Sequence, residues 1–127
     1  MPKESEIPIR VLSASIDLGL SRTRVMLLQR FGFDAVYSES KQHALELIER
    51  TTFDVLVFGS ALSRDTCWEL ARVFRAHNPK GKIIEILPTA WTAPKSKPDA
   101  TVLGSDEANR LPETILSIVD QSAGKLD

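Results

Sequence analysis

Cysteine is nearly absent from this sequence. Cys67 stands alone, so no disulfide can form within the chain, and nothing points to an oxidising compartment. Long apolar runs are missing as well. None approaches the roughly 20 residues of a membrane-spanning helix, and the opening "MPKESEIPI" has no apolar core of signal-peptide length. Neither sign of charge is in excess. A formal net charge of -1 supplies no global field to gather nucleic acid or an anionic membrane. There is no GxGxxG and no P-loop, which removes the usual dinucleotide and nucleotide signatures. No GxSxG elbow accompanies Ser13, Ser15 or Ser60, which argues against a serine hydrolase. Cys67 has no CxxC partner and the two histidines fall in separate elements, which argues against a zinc-type site. The expectation is a cytoplasmic protein without cofactor, metal or catalytic residues, binding neither nucleic acid nor membrane.

What is present is the composition of a globular domain. Hydrophobic residues make up 43% of the 127 and charged residues 26%, enough for one core and too little chain for two. Residues 1–8 read as an N-terminal tail, 9–121 as the domain and 122–127 as a C-terminal tail. "IRVLS" opens as a strand. "LGLSRTRVMLLQRF" follows as a helix with Leu20, Leu27, Leu28 and Phe31 on one face and Gly32 as its stop. Arg24 falls on the same face, either snorkelling outward or reaching into a site. A short strand, Ala35 to Tyr37, leads to "KQHALELIER", a helix capped by Ser40.

"DVLVF", Asp54 to Phe58, is the third strand; its apolar run Val55 to Phe58 has the look of a strand buried on both faces, and it ends at Gly59-Ser60. "TCWELARVFRAH" is the third helix and "KIIEIL" the fourth strand. "ATVLG" is the fifth strand, and "ETILSIVDQ" the last helix, with Pro112 at its first position. Strands and helices alternating at this spacing predict a parallel sheet with right-handed crossovers. The fold class is α/β, a flavodoxin-like (βα)5 doubly wound domain with a parallel five-stranded sheet.

At this level the chain resembles the receiver domain of two-component response regulators, from about Ile9 to Val119. "RVLSASIDLGLSRTRVMLLQRFGF" is similar to a receiver's first strand, acidic turn and first helix. "HALELIERTTFDVLVFG" is similar to the second helix and the strand carrying the phosphoacceptor, and "KIIEIL" and "PDATVLG" to the last two strands. The resemblance implies an aspartate that accepts a phosphoryl group, an acidic pair that holds Mg²⁺, and a hydroxyl and a lysine that bind phosphoryl oxygens. Carried over position by position, all of these are lost. The acidic pair falls on Ser15 and Ile16, with Asp17 the one acid left if the turn slips by a residue. The phosphoacceptor falls on Gly59, the hydroxyl on Leu87 and the lysine on Gly104. A glycine cannot form an acyl phosphate, leucine cannot hydrogen-bond an oxyanion, and a second glycine brings no cation.

The segment after Leu87 also departs from the family. It carries Pro88, Pro94 and Pro98, and proline within a helix costs roughly 3 kcal/mol, so the fourth helix is expected to be shortened or missing. Trp91, in that segment, is a candidate interaction residue or a ring packed over the sheet edge. Cys67 is either a buried structural thiol or one activated by its helix.

The expected function is that of a degenerate, or pseudo-, receiver. Such a module is not phosphorylated at the usual site. It acts by protein–protein contact in a bacterial phosphorelay, with a histidine kinase, another regulator or a second copy of itself as partner. The alternative is a small-molecule-binding module of the same fold, using the crevice that the missing side chains leave at the strand tips. A crevice lined by Ser13, Ser15, Asp17 and Ser60 would favour a ligand. One plugged by Ile16, Leu87 or Arg24 would favour a structural role.

Overall fold

A computed structural model describes residues 8–124 of the chain. The N-terminal tail expected over residues 1–8 therefore lies, all but its last residue, outside the described residues. In chain order the elements are β1 (Arg10–Ala14), α1 (Leu18–Arg30), β2 (Asp34–Tyr37), α2 (Lys41–Arg50), β3 (Val55–Phe58), α3 (Arg64–His77), β4 (Lys82–Leu87), β5 (Ala100–Leu103) and α4 (Glu107–Gly124). Every strand pair is parallel, and the sheet order is β2-β1-β3-β4-β5. This is the flavodoxin-like, doubly wound arrangement. β3 lies at its centre and is buried at all its positions, as its unbroken apolar sequence requires.

The sheet divides the core into two layers, because successive strand side chains point to opposite faces. On one face α2 and α3 pack Ala44, Ile48, Leu70 and Phe74 against Leu12, Leu56 and Phe58. On the other, α1 and α4 pack Val25, Leu28, Leu111 and Ile115 against Val11, Val57 and Ile84. The first three helices each begin at a capping side chain. Asp17, Ser40 and Ser63 accept from the amides of Leu20, His43 and Thr66, and all three caps sit on loops leaving the carboxyl edge of the sheet. α1 closes at Gly32, which has φ +91°. There the Gly32 N–H reaches the Gln29 carbonyl and the Phe33 N–H reaches that of Leu28, the two bonds of a Schellman motif.

The inward face of α1 is not the one its leucines suggest. Leu28 is buried, but its companions on the core side are Ser21, Arg24 and Val25, whereas Leu20 and Phe31 are each 58% exposed. Arg24 has hydrogen-bond partners inside, and they rotate the helix away from the position that would bury most apolar area. Pro112 is likewise not a first helical residue. α4 begins at Glu107, after a 3₁₀ turn over Gly104–Asp106, which leaves Pro112 inside the helix. Acidic residues at the start of α4, together with buried Leu111 one turn before buried Ile115, outweigh the one helical hydrogen bond that Pro112 cannot make. α4 extends to Gly124, into the stretch read as a C-terminal tail. Between β4 and β5 the chain crosses from Pro88 to Asp99 without a helix, as its three prolines imply.

Candidate functional site

The parallel register brings the predicted site positions to one edge. Ala14 pairs with Phe58, Phe58 with Glu85, and Leu87 with Leu103. Ser15, Gly59 and Gly104, each just beyond a strand end, and Leu87 at the end of β4 therefore line up along the carboxyl edge. In an open α/β sheet this is where ligands bind.

Gly59 is glycine for a local steric reason. A Cβ added there would lie 2.6 Å from Ser15 Oγ and 2.8 Å from Ser15 Cβ. The Gly59 N–H donates to the Ala14 carbonyl at 2.8 Å, which fixes this part of the backbone beside β1. Ser15 is held in turn, its hydroxyl accepting from the Asp17 N–H at 3.2 Å. The serine side chain thus occupies the space in which any side chain at position 59 would begin. Gly104 is different. The nearest atom to a Cβ there is the Leu87 carbonyl oxygen at 3.7 Å, an ordinary contact.

The remaining predicted positions offer little chemistry. Ile16 is 65% exposed and Leu87 is buried. The Asp17 carboxylate accepts from the Leu20 N–H at 3.1 Å as the cap of α1. Among the described residues no three His, Cys, Asp or Glu side chains gather into a group that could hold a metal. A hard cation such as Mg²⁺ needs several oxygen ligands. A serine, an isoleucine and one capping aspartate do not fit it.

The edge does contain a cleft of about 360 Å³, set beside β1 where the strand order reverses. Its polar lining comes from Ser15, Ser38, Ser40, Ser63 and Thr66, with Glu39 just before α2 and Lys41 at its start. Of the four residues expected to line it, only Ser15 does. Ser13 is buried under α1, bonded to Ser21 and Arg24, while Asp17 and Ser60 stand outside the lining. Neither Leu87 nor Arg24 plugs the cleft, and Ile16 contributes to its wall without closing it. The Lys41 ammonium is paired with Glu69 of α3 at 2.6 Å.

A second polar cluster replaces the missing helix. Glu85, in the middle of β4, is only 3% exposed and points to the α2–α3 side. Its carboxylate accepts from the Lys95 and Ser96 amides at 2.8 and 2.6 Å, and from the Ser96 hydroxyl at 2.5 Å. The Lys95 ammonium continues across, donating to the Ser60 and Leu62 carbonyls at 2.8 and 2.6 Å. One glutamate and one lysine thus pin the Pro88–Asp99 strap to β4 and to the loop after β3. Cys67 lies on the same side and is buried. Burial, reinforced by the Glu85 charge, pushes its thiol from 9.0 up to about 11, so it is a structural cysteine rather than a nucleophile. Trp91, at the tip of the strap, is 92% exposed and packs over nothing.

Arg24 lies on the opposite face of the sheet and is 3% exposed. Its Nη1 donates to Ser13 Oγ at 2.8 Å, and its Nε and Nη2 grip the Glu107 carboxylate at the start of α4. Both polar clusters had a signal in the sequence. Each is a charged residue inside an apolar pattern, Glu85 within "KIIEIL" and Arg24 on the apolar face of a helix. What periodicity does not supply is the partner, 83 residues away for Arg24.

Sequence comparison with protein-family models and with curated proteins finds no match. Structural comparison does. A CheY-like response regulator receiver domain protein from Methanospirillum hungatei JF-1 superposes with a TM-score of 0.75 at 15% identity, over 94% of this chain and 99% of the other. A response regulator from Thermotoga maritima gives 0.74 at 15% identity, over 90% and 99%. The fold is the receiver fold. A third structure with that fold is the receiver domain of a sensor histidine kinase from Pseudomonas aeruginosa PAO1, at TM-score 0.75 and 12% identity over 90% of this chain and 99% of the other. That structure has a magnesium ion coordinated in its active site cleft. In the present chain, the carboxyl edge of the sheet holds a serine packed over a glycine.

Proposed function

We propose that this protein is a pseudo-receiver, a non-catalytic module that works through protein contacts in two-component signalling and is not phosphorylated at the usual position. The observation that carries this is the Ser15–Gly59 contact. It leaves no carboxylate at the centre of the edge and no room for one without displacing Ser15. The receiver framework around it, complete but for the helix between β4 and β5, supports a role that uses the shape of the domain. Trp91, projecting from a strap held rigidly at Glu85, is a contact residue of the kind such a role uses.

The test is a titration with Mg²⁺ and beryllofluoride, or with acetyl phosphate, followed by amide NMR. The expected result is no saturable shift at Ser15, Gly59, Ser60 or Gly104. A saturable shift of those amides, or a phosphorylated species in the intact mass, would overturn the proposal.

The cleft beside β1 favours a second function, binding of a small polar molecule. Its hydroxyl lining and its place at the reversal of strand order fit such a ligand. A thermal-shift screen of small polar metabolites separates the two. A hit whose effect disappears in Ser40→Ala and Ser63→Ala selects the second function, and its absence leaves the first.

A further inference from the structure

The cleft beside β1 holds more hydrogen-bond donors than the fold uses. Side chains alternate along β2, and Ala35 and Tyr37 join the α1–α4 core, so Ser38, one residue past the strand, turns to the α2–α3 side. It is 3% exposed and forms part of the cleft wall. Its amide donates to the Ser13 carbonyl, but its hydroxyl has no partner among the described residues. No side-chain nitrogen or oxygen sealed inside the described residues lacks a partner. The hydroxyl is therefore the open part of this buried residue, and it opens on the cleft.

Two more hydroxyls of the lining have a proton to spare. Ser40 Oγ accepts from the His43 N–H, and nothing among the described residues accepts from it. Ser63 Oγ accepts from the Thr66 N–H and donates to Thr66 Oγ1, which leaves the Thr66 proton free. Ser40 and Ser63 also place the N-termini of α2 and α3 at the cleft, each with first-turn N–H groups that no intrahelical carbonyl can serve. Free donors and two positive helix ends face one small space, and a carboxylate satisfies both.

The charges of the lining set the other end of the ligand. Lys41 is neutralised by Glu69 at 2.6 Å. Glu39, exposed just before α2, has no cation against its carboxylate among the described residues, so the uncompensated charge of the lining is negative. A simple anion meets that charge unfavourably, whereas a zwitterion answers both ends. Between them Ala14, Ala44, Leu62 and Leu70 form an apolar floor. The volume of about 360 Å³ is at the small end of the roughly 300–1,000 Å³ of ligand pockets, so the ligand is compact.

We infer that this cleft binds a free aliphatic α-amino acid. The Ser38, Ser40 and Thr66 hydroxyls and the start of α2 take its carboxylate, Glu39 takes its ammonium, and the apolar floor takes its side chain. The inference rests on the small-molecule reading of the cleft given above and names the ligand class.

Amide NMR of the full chain titrated with L-valine tests this. The comparison compounds are isovalerate, which lacks the ammonium, and isobutylamine, which lacks the carboxylate. L-valine is expected to give saturable shifts at Ser38, Ser40, Lys41 and Thr66, and each comparison compound to bind about tenfold more weakly. Ser38→Ala removes a hydroxyl that bonds nothing in the fold. It should weaken L-valine by about tenfold and leave the far-ultraviolet spectrum unchanged. Glu39→Gln should weaken L-valine but not isovalerate, bringing the two near parity. The inference is overturned if neither L-valine nor L-leucine gives saturable shifts at these amides. It is equally overturned if isovalerate binds the wild type as tightly as L-valine, or if Ser38→Ala binds L-valine unchanged. Where another polar molecule from the thermal-shift screen still moves these amides, the amino-acid assignment alone has failed. Where none does, the small-molecule reading has failed with it.

Discussion

Gly59 and Ser15 show how a single residue position can be closed twice. A glycine by itself leaves room for a small side chain. Here the neighbouring serine already fills that room, so any larger residue at position 59 must move Ser15 too. Gly59→Ala is expected to destabilise the fold by about 1–3 kcal/mol through overpacking. Ser15→Gly in the same chain removes both clashing atoms and should recover most of that loss, a coupling that distant sites do not show. Gly104→Ala is the control. It meets nothing closer than 3.7 Å and should be neutral, or stabilising by up to about 1 kcal/mol through the unfolded chain. Urea denaturation of these three variants and of Ser15→Gly alone measures all of this. Additive Gly59 and Ser15 effects would show that the contact does not govern the position. The glycine at the tip of β3 was legible in the sequence. The serine above it was not, because nothing in spacing says which way a loop side chain turns.

The strap from Pro88 to Asp99 shows how an element can be absent without leaving the sheet uncovered. Three prolines make the loss of a helix readable from composition, and the structure agrees. What takes over is a buried carboxylate in place of an apolar helix face. Glu85 receives two backbone amides and a hydroxyl from Lys95 and Ser96, satisfying donors that irregular backbone would otherwise bury unpaired. Glu85→Gln replaces charged acceptance with an amide that can serve only part of these donors, at an expected cost of about 1.5–3 kcal/mol. Hydrogen exchange localises the effect. The Lys95 and Ser96 amides should exchange faster in Glu85→Gln, while those of β3 follow only the global change. Unchanged protection at Lys95 and Ser96 would mean that the strap is held by something other than Glu85. The same competition explains the two helices whose details escaped the sequence. In α1 the polar partners of Arg24 decide which face turns inward. In α4 the acidic start and the burial of Leu111 and Ile115 override Pro112 as a boundary marker.

Across the whole molecule, the two sides of the sheet are joined to it in different ways. The α2–α3 layer rests on apolar packing and the Glu85 strap. The α1–α4 layer has a largely buried ionic link at the start of α4, Arg24 to Glu107, which ties the first helix to the last and includes Ser13 of β1. The sheet order and most of both cores follow from alternating patterns that the sequence displays openly. This link does not, because it depends on two charges that come together only once the chain has folded. A buried pair of this sort is costly to break from one side and cheap to replace from both. Arg24→Met is therefore expected to destabilise by about 3–5 kcal/mol, because the Glu107 carboxylate loses its cation and Ser13 loses a donor. Arg24→Met with Glu107→Leu should regain most of that loss and raise the apolar content of the interface. Chemical denaturation followed by both fluorescence and circular dichroism measures the two variants, and unchanged denaturant slopes would show that the native state has kept its extent. If the double variant is as unstable as Arg24→Met alone, the cost lies in Arg24's bond to Ser13, and the link between the helices contributes little. If it recovers, the polar interior of α1 serves orientation more than stability. The inverted helix, with Leu20 and Phe31 outside, is then the consequence of holding Arg24 in place.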